Sequence, residues 1–354
     1  MKIKLAILER DKSYLSKIVS VFGTKYSDKF EIYSFTDQDV ALNNLKTAKI
    51  DVLVASDSFD IDVSKLPVRC GFAYLVDFAD IEHINNQRAI CKFQKADLIY
   101  KQILSVYSEN ASSITGFKTN SDEAQVILFC SPSGGVGCSM AAAACARHMA
   151  ASGAKTMYLN LEKFGSADMF FSGPGQFDMS DIIFALKSKK ANLYLKLESC
   201  IKQDPSGVCF YSQPKVALDM MELHIDEVIQ LITEIKQTGE YAYIVIDADF
   251  SLSPDALQLY REARNIVLVG DGSELSNSKL CRAFEALSII EQNADVPLAN
   301  RMSLMYNKVS SKMGKTVGIQ GIRELGGAPI YGGGADTAQI LGQLSALELY
   351  DKIR

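Results

Sequence analysis

The chain has 354 residues, a length that predicts two domains rather than one. Its composition is that of a globular protein, and its formal net charge of −5 supplies no overall positive field that would draw it onto DNA or anionic lipid. Its eight cysteines include no C-x-x-C pair, which argues against a zinc or iron–sulfur site and favours reduced thiols in a cytoplasmic protein.

The first hundred residues alternate short apolar runs with helical patterns. The first run stops after a few residues at Glu9 and Arg10, so it predicts neither a signal peptide nor a membrane span. Alternating strands and helices predict a parallel sheet covered on both faces, so we predict an α/β domain over residues 1–109 and a polar linker over residues 110–123. The predicted strands are residues 3–8, 30–35, 51–55, 72–76 and 97–100, and the predicted helices lie near residues 11–23, 37–48 and 80–95, with one more after Lys101.

Residues 124–354 show the same alternation and predict a second α/β domain. Apolar runs such as "YIVID" and "NIVLVG" lack polar alternation, which is typical of strands buried on both faces. The predicted strands are residues 125–130, 155–161, 207–212, 241–247, 265–270, 302–307 and 328–331, and the predicted helices lie near residues 139–152, 178–187, 217–237, 254–263, 275–292 and 335–351.

A glycine-rich turn, "FCSPSGGVGCSM", joins the first of these strands to an alanine-rich helix. Backbone N–H groups of such a turn and the positive end of the helix dipole together bind phosphate. The Ser139 hydroxyl opens the helix, where it could ligate Mg²⁺. The strict G-x-x-x-x-G-K-[ST] pattern fails at two positions, since Pro132 replaces its first glycine and Cys138 replaces its lysine.

This turn resembles the deviant Walker A motif of the MinD/ParA superfamily, K-G-G-x-G-K-[ST], with Ser133 and Cys138 in place of the two lysines. "TMYLNLEKFGSADMFF" resembles switch I of that family, with Asn160 and Glu162 at its acidic positions. "YAYIVIDADF" resembles the Walker B strand, with Asp247 at its end. "LMYNKV" resembles a late strand whose asparagine, here Asn307, recognises adenine.

The resemblance implies an ATP and Mg²⁺ site in a P-loop ATPase-like, mostly parallel sheet with helices on both faces. Ser139 and Asp247 would ligate Mg²⁺. Because both lysines are missing and the Asn160 amide has no basic lone pair, we expect slow or absent hydrolysis. We therefore assign no catalytic role to Asn160 and Glu162, which occupy the switch I positions. The implied nucleotide-binding residues are Ser133, Gly134, Gly135, Val136, Gly137, Cys138, Ser139, Met140 and Asn307.

The N-terminal domain resembles a flavodoxin-like response-regulator receiver with a five-stranded parallel sheet. "KADLIYKQI" is similar to the last receiver strand, with Lys101 at the conserved-lysine position, and the phosphoacceptor position falls on Ser56, one residue before Asp57. The acidic pair that binds Mg²⁺ in receivers is reduced to Glu9 and Asp11. We therefore predict a pseudo-receiver that serves in docking.

The order of the two domains resembles the TadZ/CpaE branch of the superfamily. That resemblance implies an ATP-binding scaffold or localisation factor for assembly of a Tad/Flp-type, type IV-like pilus secretion machine. Its implied partners are a second copy of the chain, the secretion ATPase and the membrane platform proteins, reached in the cytoplasm at a cell pole. Because acidic and basic residues balance in the C-terminal segment, no direct membrane insertion is expected. The acidic net charge argues against binding to nucleic acid.

Two alternatives stay open. One is an active ParA/MinD-type ATPase switch that positions DNA or division proteins, and the other is a phosphorylatable response regulator with an ATPase-like output domain. The iron–sulfur carrier branch of the superfamily is set aside because the last cysteine, Cys281, is unpaired.

Overall fold

A computed structural model describes residues 2–110, 124–188, 192–294, 298–309, 315–319, 321–331 and 334–353. The chain divides into two compact units, Met1–Phe117 with Ala185–Cys200, and Lys118–Phe184 with Ile201–Arg354. The predicted linker lies outside the described residues from residue 111 onward. In the described ranges, no helix has the length and apolarity that a membrane crossing requires.

The first unit is built on a six-stranded sheet of order β2-β1-β3-β4-β6-β5. All of its strand pairs are parallel except β5 with β6. Four predicted strands are confirmed as β1 to β4, so the α/β fold class is confirmed for this unit. Its elements are β1 (Ile3–Leu8), α1 (Lys12–Lys25), β2 (Phe30–Phe35), α2 (Gln38–Thr47), β3 (Val52–Ser56), β4 (Gly71–Val76), β5 (His83–Ile84), β6 (Gln87–Cys91) and α3 (Ala96–Asn110).

The last parallel strand of this sheet is β6, so the predicted helix at residues 80–95 and strand at residues 97–100 are wrong. Asn85 and Asn86 adopt positive φ angles of 49° and 61°. They form the two-residue turn between β5 and β6, a conformation that asparagine tolerates better than most residues. Ile99 and Ile103 are buried at helical spacing in α3, and Lys101 lies within that helix rather than at the end of a strand.

The second unit is built on an eight-stranded sheet of order β14-β13-β12-β7-β11-β8-β10-β9, parallel except for β9 with β10. The predicted mostly parallel α/β fold is confirmed. The strands are β7 (Gln125–Cys130), β8 (Thr156–Asn160), β9 (Lys202–Gln203), β10 (Cys209–Phe210), β11 (Tyr243–Asp247), β12 (Asn265–Gly270), β13 (Met302–Val309) and β14 (Arg323–Pro329). After β7 the chain forms nine described helices, of which α7 belongs to the first unit. They are α4 (Cys138–Ala151), α5 (Ala167–Phe170), α6 (Met179–Lys187), α7 (Leu193–Cys200), α8 (Leu218–Met221), α9 (Ile225–Gln237), α10 (Pro254–Glu262), α11 (Glu274–Ala294) and α12 (Thr337–Ser345).

Two predicted helices of the second unit are each interrupted. The helix predicted at residues 217–237 is α8 followed by α9, and the Glu227 carboxylate accepts a hydrogen bond from the His224 N–H at 2.9 Å where α9 begins. The helix predicted at residues 335–351 ends with α12, and a 3-10 helix, Glu348–Ile353, follows it.

Helix α4 packs on the centre of the second sheet through its alanines. Residues 141–146 are 0% exposed and belong to the same apolar cluster as Phe129 of β7 and Val245 of β11. Small side chains allow the helix to lie close to these strands, which places its N-terminus at their carboxyl ends.

Helix α7 belongs to the first unit, although its sequence lies within residues 124–354. Leu195 is buried in the core cluster that includes β1 and α3. The Lys196 ammonium donates to Ser105 Oγ at 3.0 Å, and the Tyr100 hydroxyl donates to Glu198 Oε1 at 2.7 Å. The first unit is therefore completed by a distant stretch of chain, while the predicted domain limits remain a prediction.

Candidate functional site

The loop between β7 and α4 has the backbone conformation of a phosphate cradle. Gly135 and Gly137 adopt left-handed φ angles of 80° and 82°. Gly137 is the N-cap of α4 and provides no side-chain cap. Within the described residues, the N–H groups of residues 137–140 donate to no other atom, as expected for the first turn of a helix without a cap. The loop therefore presents several donors and the positive helix end to an anion.

A cluster of polar side chains lies next to this loop because β8 and β11 are parallel neighbours. Asn160 and Asp247 are paired in register at the carboxyl ends of these strands. The Asn160 amide donates to Asp247 Oδ2 at 2.9 Å and to Glu162 Oε2 at 3.3 Å. The Tyr158 hydroxyl also donates to Asp247 Oδ2, at 3.0 Å, and the Ser139 hydroxyl donates to Glu162 Oε2 at 3.1 Å. Ser139 of the loop is thereby joined to both predicted switch positions and to Asp247.

Asp247 is a fully buried carboxyl that lacks one hydrogen-bond partner. Its Oδ1 atom accepts no hydrogen bond from the described residues. Burial raises the pKa of Asp247 well above its ordinary range, and the negative charge of Glu162 raises it further, against hydrogen bonds from Tyr158 and Ser139. A cation at this position would offset the cost of the ionised carboxylate.

The oxygen atoms of this cluster are suitable ligands for Mg²⁺. A hydroxyl and two carboxylates are the hard ligands that Mg²⁺ prefers. No group of three or more histidine, cysteine, aspartate or glutamate side chains that could hold a metal occurs in the described part of the chain. Mg²⁺ bound here would therefore depend on Ser139, on Asp247 with Glu162, and on phosphate oxygens and water, a ligand set of the kind that P-loop proteins use.

A cavity of about 620 Å³ opens beside the loop. Asn307 lines it, and its amide donates to the Val136 carbonyl at 2.9 Å and to the Gly137 carbonyl at 3.3 Å. Its recognition of adenine stays a prediction, and the hydrogen bonds show that Asn307 holds the loop. The cavity is lined by Gly137, Ser139, Met140, Met169, Phe170, Asn307, Lys308, Ile330, Tyr331, Thr337 and Ile340.

Ser133 and Cys138, which stand where the deviant Walker A motif has its two lysines, place no positive charge at the loop. Ser133 is buried at 6% exposure, and its hydroxyl finds no partner among the described residues. Cys138 is partly exposed, yet desolvation of its thiol raises its pKa well above the ordinary value, and nearby Asp247 adds to this. Sequence reasoning missed Lys308, whose ammonium donates to the Gly135 carbonyl at 2.7 Å. The only signal was its place after Asn307 at a strand end.

The receiver-like unit places a different lysine at its sheet edge from the one predicted. Lys92 follows β6, and its ammonium lies 2.8 Å from Glu9 Oε2, 3.1 Å from Asp77 Oδ1 and 3.4 Å from Ser56 Oγ. Lys101, which was predicted at this position, lies within α3, the helix that follows β6. The error follows from the misassigned strand at residues 97–100.

The remaining receiver positions differ in burial and in partners. Ser56 ends β3 and is 2% exposed, whereas Asp57 is exposed beyond the strand. Asp11 accepts from the N–H groups of Ser13 and Tyr14, and so caps α1. Burial lowers the pKa of Lys92, but hydrogen bonds to Glu9 and Asp77 outweigh it and leave the pKa above its usual value. The Lys92 ammonium therefore forms an ion pair with the buried Glu9 carboxylate.

Comparison with known proteins gives a family match for the first domain and a fold likeness for the chain. Residues 1–108 match the family model described as "TadZ-like, receiver domain". This match covers the β1–α3 region of the chain. The fold of the chain is similar to that of a ParA family ATPase from Chlorobium tepidum, with a TM-score of 0.51, 20% identity, and coverage of 65% of this chain and 96% of that one.

Two MinD structures are also similar. The first is the MinC:MinD cell division protein complex of Aquifex aeolicus, with a TM-score of 0.45, 17% identity, and coverage of 59% of this chain and 82% of that one. The second is MinD complexed with Mg-ADP from Pyrococcus horikoshii, with a TM-score of 0.45, 13% identity, and coverage of 63% of this chain and 94% of that one. The curated proteins gave no match.

The TadZ-like receiver domain and the ParA-type fold together fit a TadZ/CpaE-like protein. The fold brings Ser139, Asn160, Glu162 and Asp247 together beside the glycine loop. Tyr158, the fifth member of that cluster, was not singled out by sequence reasoning, because a tyrosine within an apolar strand is usually a core residue.

Proposed function

We propose that this chain is an ATP-binding scaffold or localisation factor for assembly of a Tad/Flp-type pilus secretion machine. One observation carries the ATP site: a glycine loop whose N–H groups at residues 137–140 donate to no described residue lies beside Ser139, which is joined through Glu162 and Asn160 to the buried Asp247. The partnerless Oδ1 of Asp247 supports a cation there. ATP with Mg²⁺ is the ligand whose charges suit both halves of the site.

Weak hydrolysis follows from the same contacts. The Asn160 amide N–H groups are used in hydrogen bonds to Asp247 and Glu162, and an amide has no basic lone pair that could take a proton from water. Neither Ser133 nor Cys138 supplies a positive charge for the transition state. Bound ATP would therefore act as a ligand that stabilises one state of the protein.

The receiver-like domain is proposed as a docking module. Its acceptor position carries the buried hydroxyl of Ser56, and Lys92 is engaged by Glu9. Partners proposed from the TadZ/CpaE resemblance are a second copy of the chain, the secretion ATPase and the membrane platform. We place this assembly in the cytoplasm at a cell pole, where the chain is held through its partners.

Calorimetric titration with ATP and Mg²⁺ tests the proposal, with phosphate release followed on the same sample. We expect binding with little or no turnover, abolished by Asp247→Ala and by Ser139→Ala, while Ser278→Ala on an exposed face of α11 leaves binding unchanged. No binding at millimolar ATP would reject the ATP site and leave the fold as a docking surface only.

The two alternative functions make distinct predictions. Appreciable ATP turnover stimulated by DNA or by lipid vesicles would indicate a ParA/MinD-type switch. Incorporation of phosphate from acetyl phosphate at Asp57 or Ser56 would indicate a phosphorylatable regulator. The Lys92–Glu9 ion pair argues against the second, because the carboxylate at the predicted metal-binding position is already paired with an ammonium group.

A further inference from the structure

We propose that Lys308 supplies, from the end of β13, the positive charge that the glycine loop lacks, and that it binds the phosphate groups of the nucleotide. The inference rests on the proposed ATP site and adds to it a named binding residue. Its ammonium already lies against the loop, 2.7 Å from the Gly135 carbonyl oxygen.

The backbone at Lys308 is shaped to direct this side chain. Lys308 has a φ of 58°, a left-handed conformation that costs an ordinary residue about 1–2 kcal/mol. The pairing of β13 with β14 shifts register between Tyr306 and Val309. Such a bulge re-aims a side chain at the end of a strand. The neighbouring Asn307 amide then fixes the strand end to the loop through the Val136 and Gly137 carbonyls.

The lysine side chain also lies close to the mouth of the cradle. A Cβ placed on Gly137 would lie 3.3 Å from Lys308 Cε, so the lysine stem passes directly beside the N-cap of α4. Of the described residues that line the adjacent cavity, Lys308 is the only charged one. An ammonium has three N–H donors, so the hydrogen bond to Gly135 leaves donors for phosphate oxygens.

The charge balance of the site favours this role. Asp247 and Glu162 lie next to Ser139, and a triphosphate adds further negative charge, which Mg²⁺ alone balances only in part. Ser133 and Cys138 contribute no charge. A lysine delivered from another strand restores a cation to the loop without restoring the P-loop motif.

Titration of the full chain with ATP and Mg²⁺ tests this role with two substitutions. Lys308→Asn removes the amine but keeps a residue that tolerates the left-handed conformation, and Lys308→Arg keeps the charge. We expect Lys308→Asn to weaken ATP binding about tenfold to a hundredfold, the loss typical of a charge-assisted hydrogen bond. Lys308→Arg should stay within about threefold of wild type, since the guanidinium retains the charge.

Salt dependence and a matched control distinguish a binding role from a structural one. Because the contact is ionic, the affinity of wild type should fall more steeply with added salt than that of Lys308→Asn. Lys279→Gln, at an exposed position of α11, should bind as wild type does.

Each contrary outcome has its own meaning. If wild type binds ATP and Lys308→Asn binds equally well, the role of Lys308 is overturned while the ATP site stands. Equal losses in Lys308→Asn and Lys308→Arg, with unchanged salt dependence, would also overturn it, since the lysine would then only position the loop. Absence of binding by wild type would reject the ATP site itself, and the proposal with it.

Discussion

The Asn160 amide donates a hydrogen bond of 2.9 Å to the buried carboxylate of Asp247. Both residues end neighbouring parallel strands in register, so the contact is built into the sheet. The amide, together with the Tyr158 hydroxyl, stabilises the Asp247 carboxylate against the nearby negative charge of Glu162. Asn160 occupies the position where the resemblance predicts a catalytic acidic residue. In this structure it instead stabilises Asp247, the predicted Mg²⁺ ligand.

Asn160→Asp should destabilise the second unit. The substitution removes the N–H donors that reach Asp247 and Glu162 and places a third carboxylate between them. Breaking a buried polar network in this way costs about 3–5 kcal/mol, and added Mg²⁺ should restore part of the loss. Thermal unfolding with and without Mg²⁺ measures this, with the exposed Asn300→Asp as control. An unchanged and Mg²⁺-independent transition would contradict the role of Asn160.

Asp247→Asn should change how stability depends on pH. Because the folded pKa of Asp247 is raised, the folded protein keeps a proton that the unfolded chain, with a pKa of about 3.9, has lost. The contribution of Asp247 to stability therefore falls as pH rises from about 4 through its folded pKa, and Asp247→Asn escapes this loss. Each unit of raised pKa is worth about 1.4 kcal/mol, so the variant should be the more stable protein at pH 8.

Denaturant unfolding from pH 4 to pH 8 measures this difference. The exposed Asp249→Asn is the control, and its curve should run parallel to that of wild type. A parallel curve for Asp247→Asn as well would contradict the raised pKa.

Gly137→Ala and Gly134→Ala form a matched pair within the loop. At Gly137 the φ of 82° is unfavourable for alanine, and the new Cβ would lie 2.5 Å from Asn307 Nδ2. We expect a loss of about 1–3 kcal/mol of stability, together with loss of ATP binding. At Gly134 nothing lies within 4 Å of a Cβ, so stability should change by less than about 0.5 kcal/mol. Chemical denaturation and ATP titration check both, and similar effects at the two glycines would contradict this geometry.

Lys92→Met should destabilise the first unit. The side chain of Glu9 is 4% exposed, and the substitution leaves its carboxylate without the ammonium 2.8 Å away. Breaking a buried ion pair costs about 3–5 kcal/mol, whereas removing both charges with Glu9→Gln should recover much of that loss. Hydrogen exchange of β1 and β6 measures it, with the exposed Lys17→Met as control. No difference between the two lysine variants would argue against Lys92 as the receiver lysine.

Leu195→Ala should loosen α3, although the residue is distant from that helix in sequence. Leu195 is 6% exposed within the core cluster of the first unit. A buried leucine replaced by alanine typically costs about 2–5 kcal/mol. Hydrogen exchange across Ala96–Asn110 should therefore accelerate, while Leu218→Ala, at a side chain 70% exposed, should leave it unchanged. Unaltered protection of α3 would show that α7 does not complete this unit.

The sequence by itself determined the α/β class of both domains, most of the strands and the position of the glycine loop. Apolar runs such as residues 3–8 and 125–130 are local signals, and the confirmed strands β1 and β7 span the same residues. The loop could likewise be located because glycine spacing next to a strand is read within a dozen residues.

Tertiary structure alone decided the features that depend on distant segments. The strand β6 was missed because it is defined by its pairing with β4 and by the left-handed turn at Asn85 and Asn86 that precedes it. The apolar run "ADLIY", which resembles a strand in sequence, begins the helix α3 instead. The same pairing puts Lys92 beside Glu9. Lys308 reaches Gly135 only because a bulge turns the end of β13 toward a loop 173 positions away. Contacts of this kind leave no local pattern, since they arise from the packing of segments that are far apart in the chain.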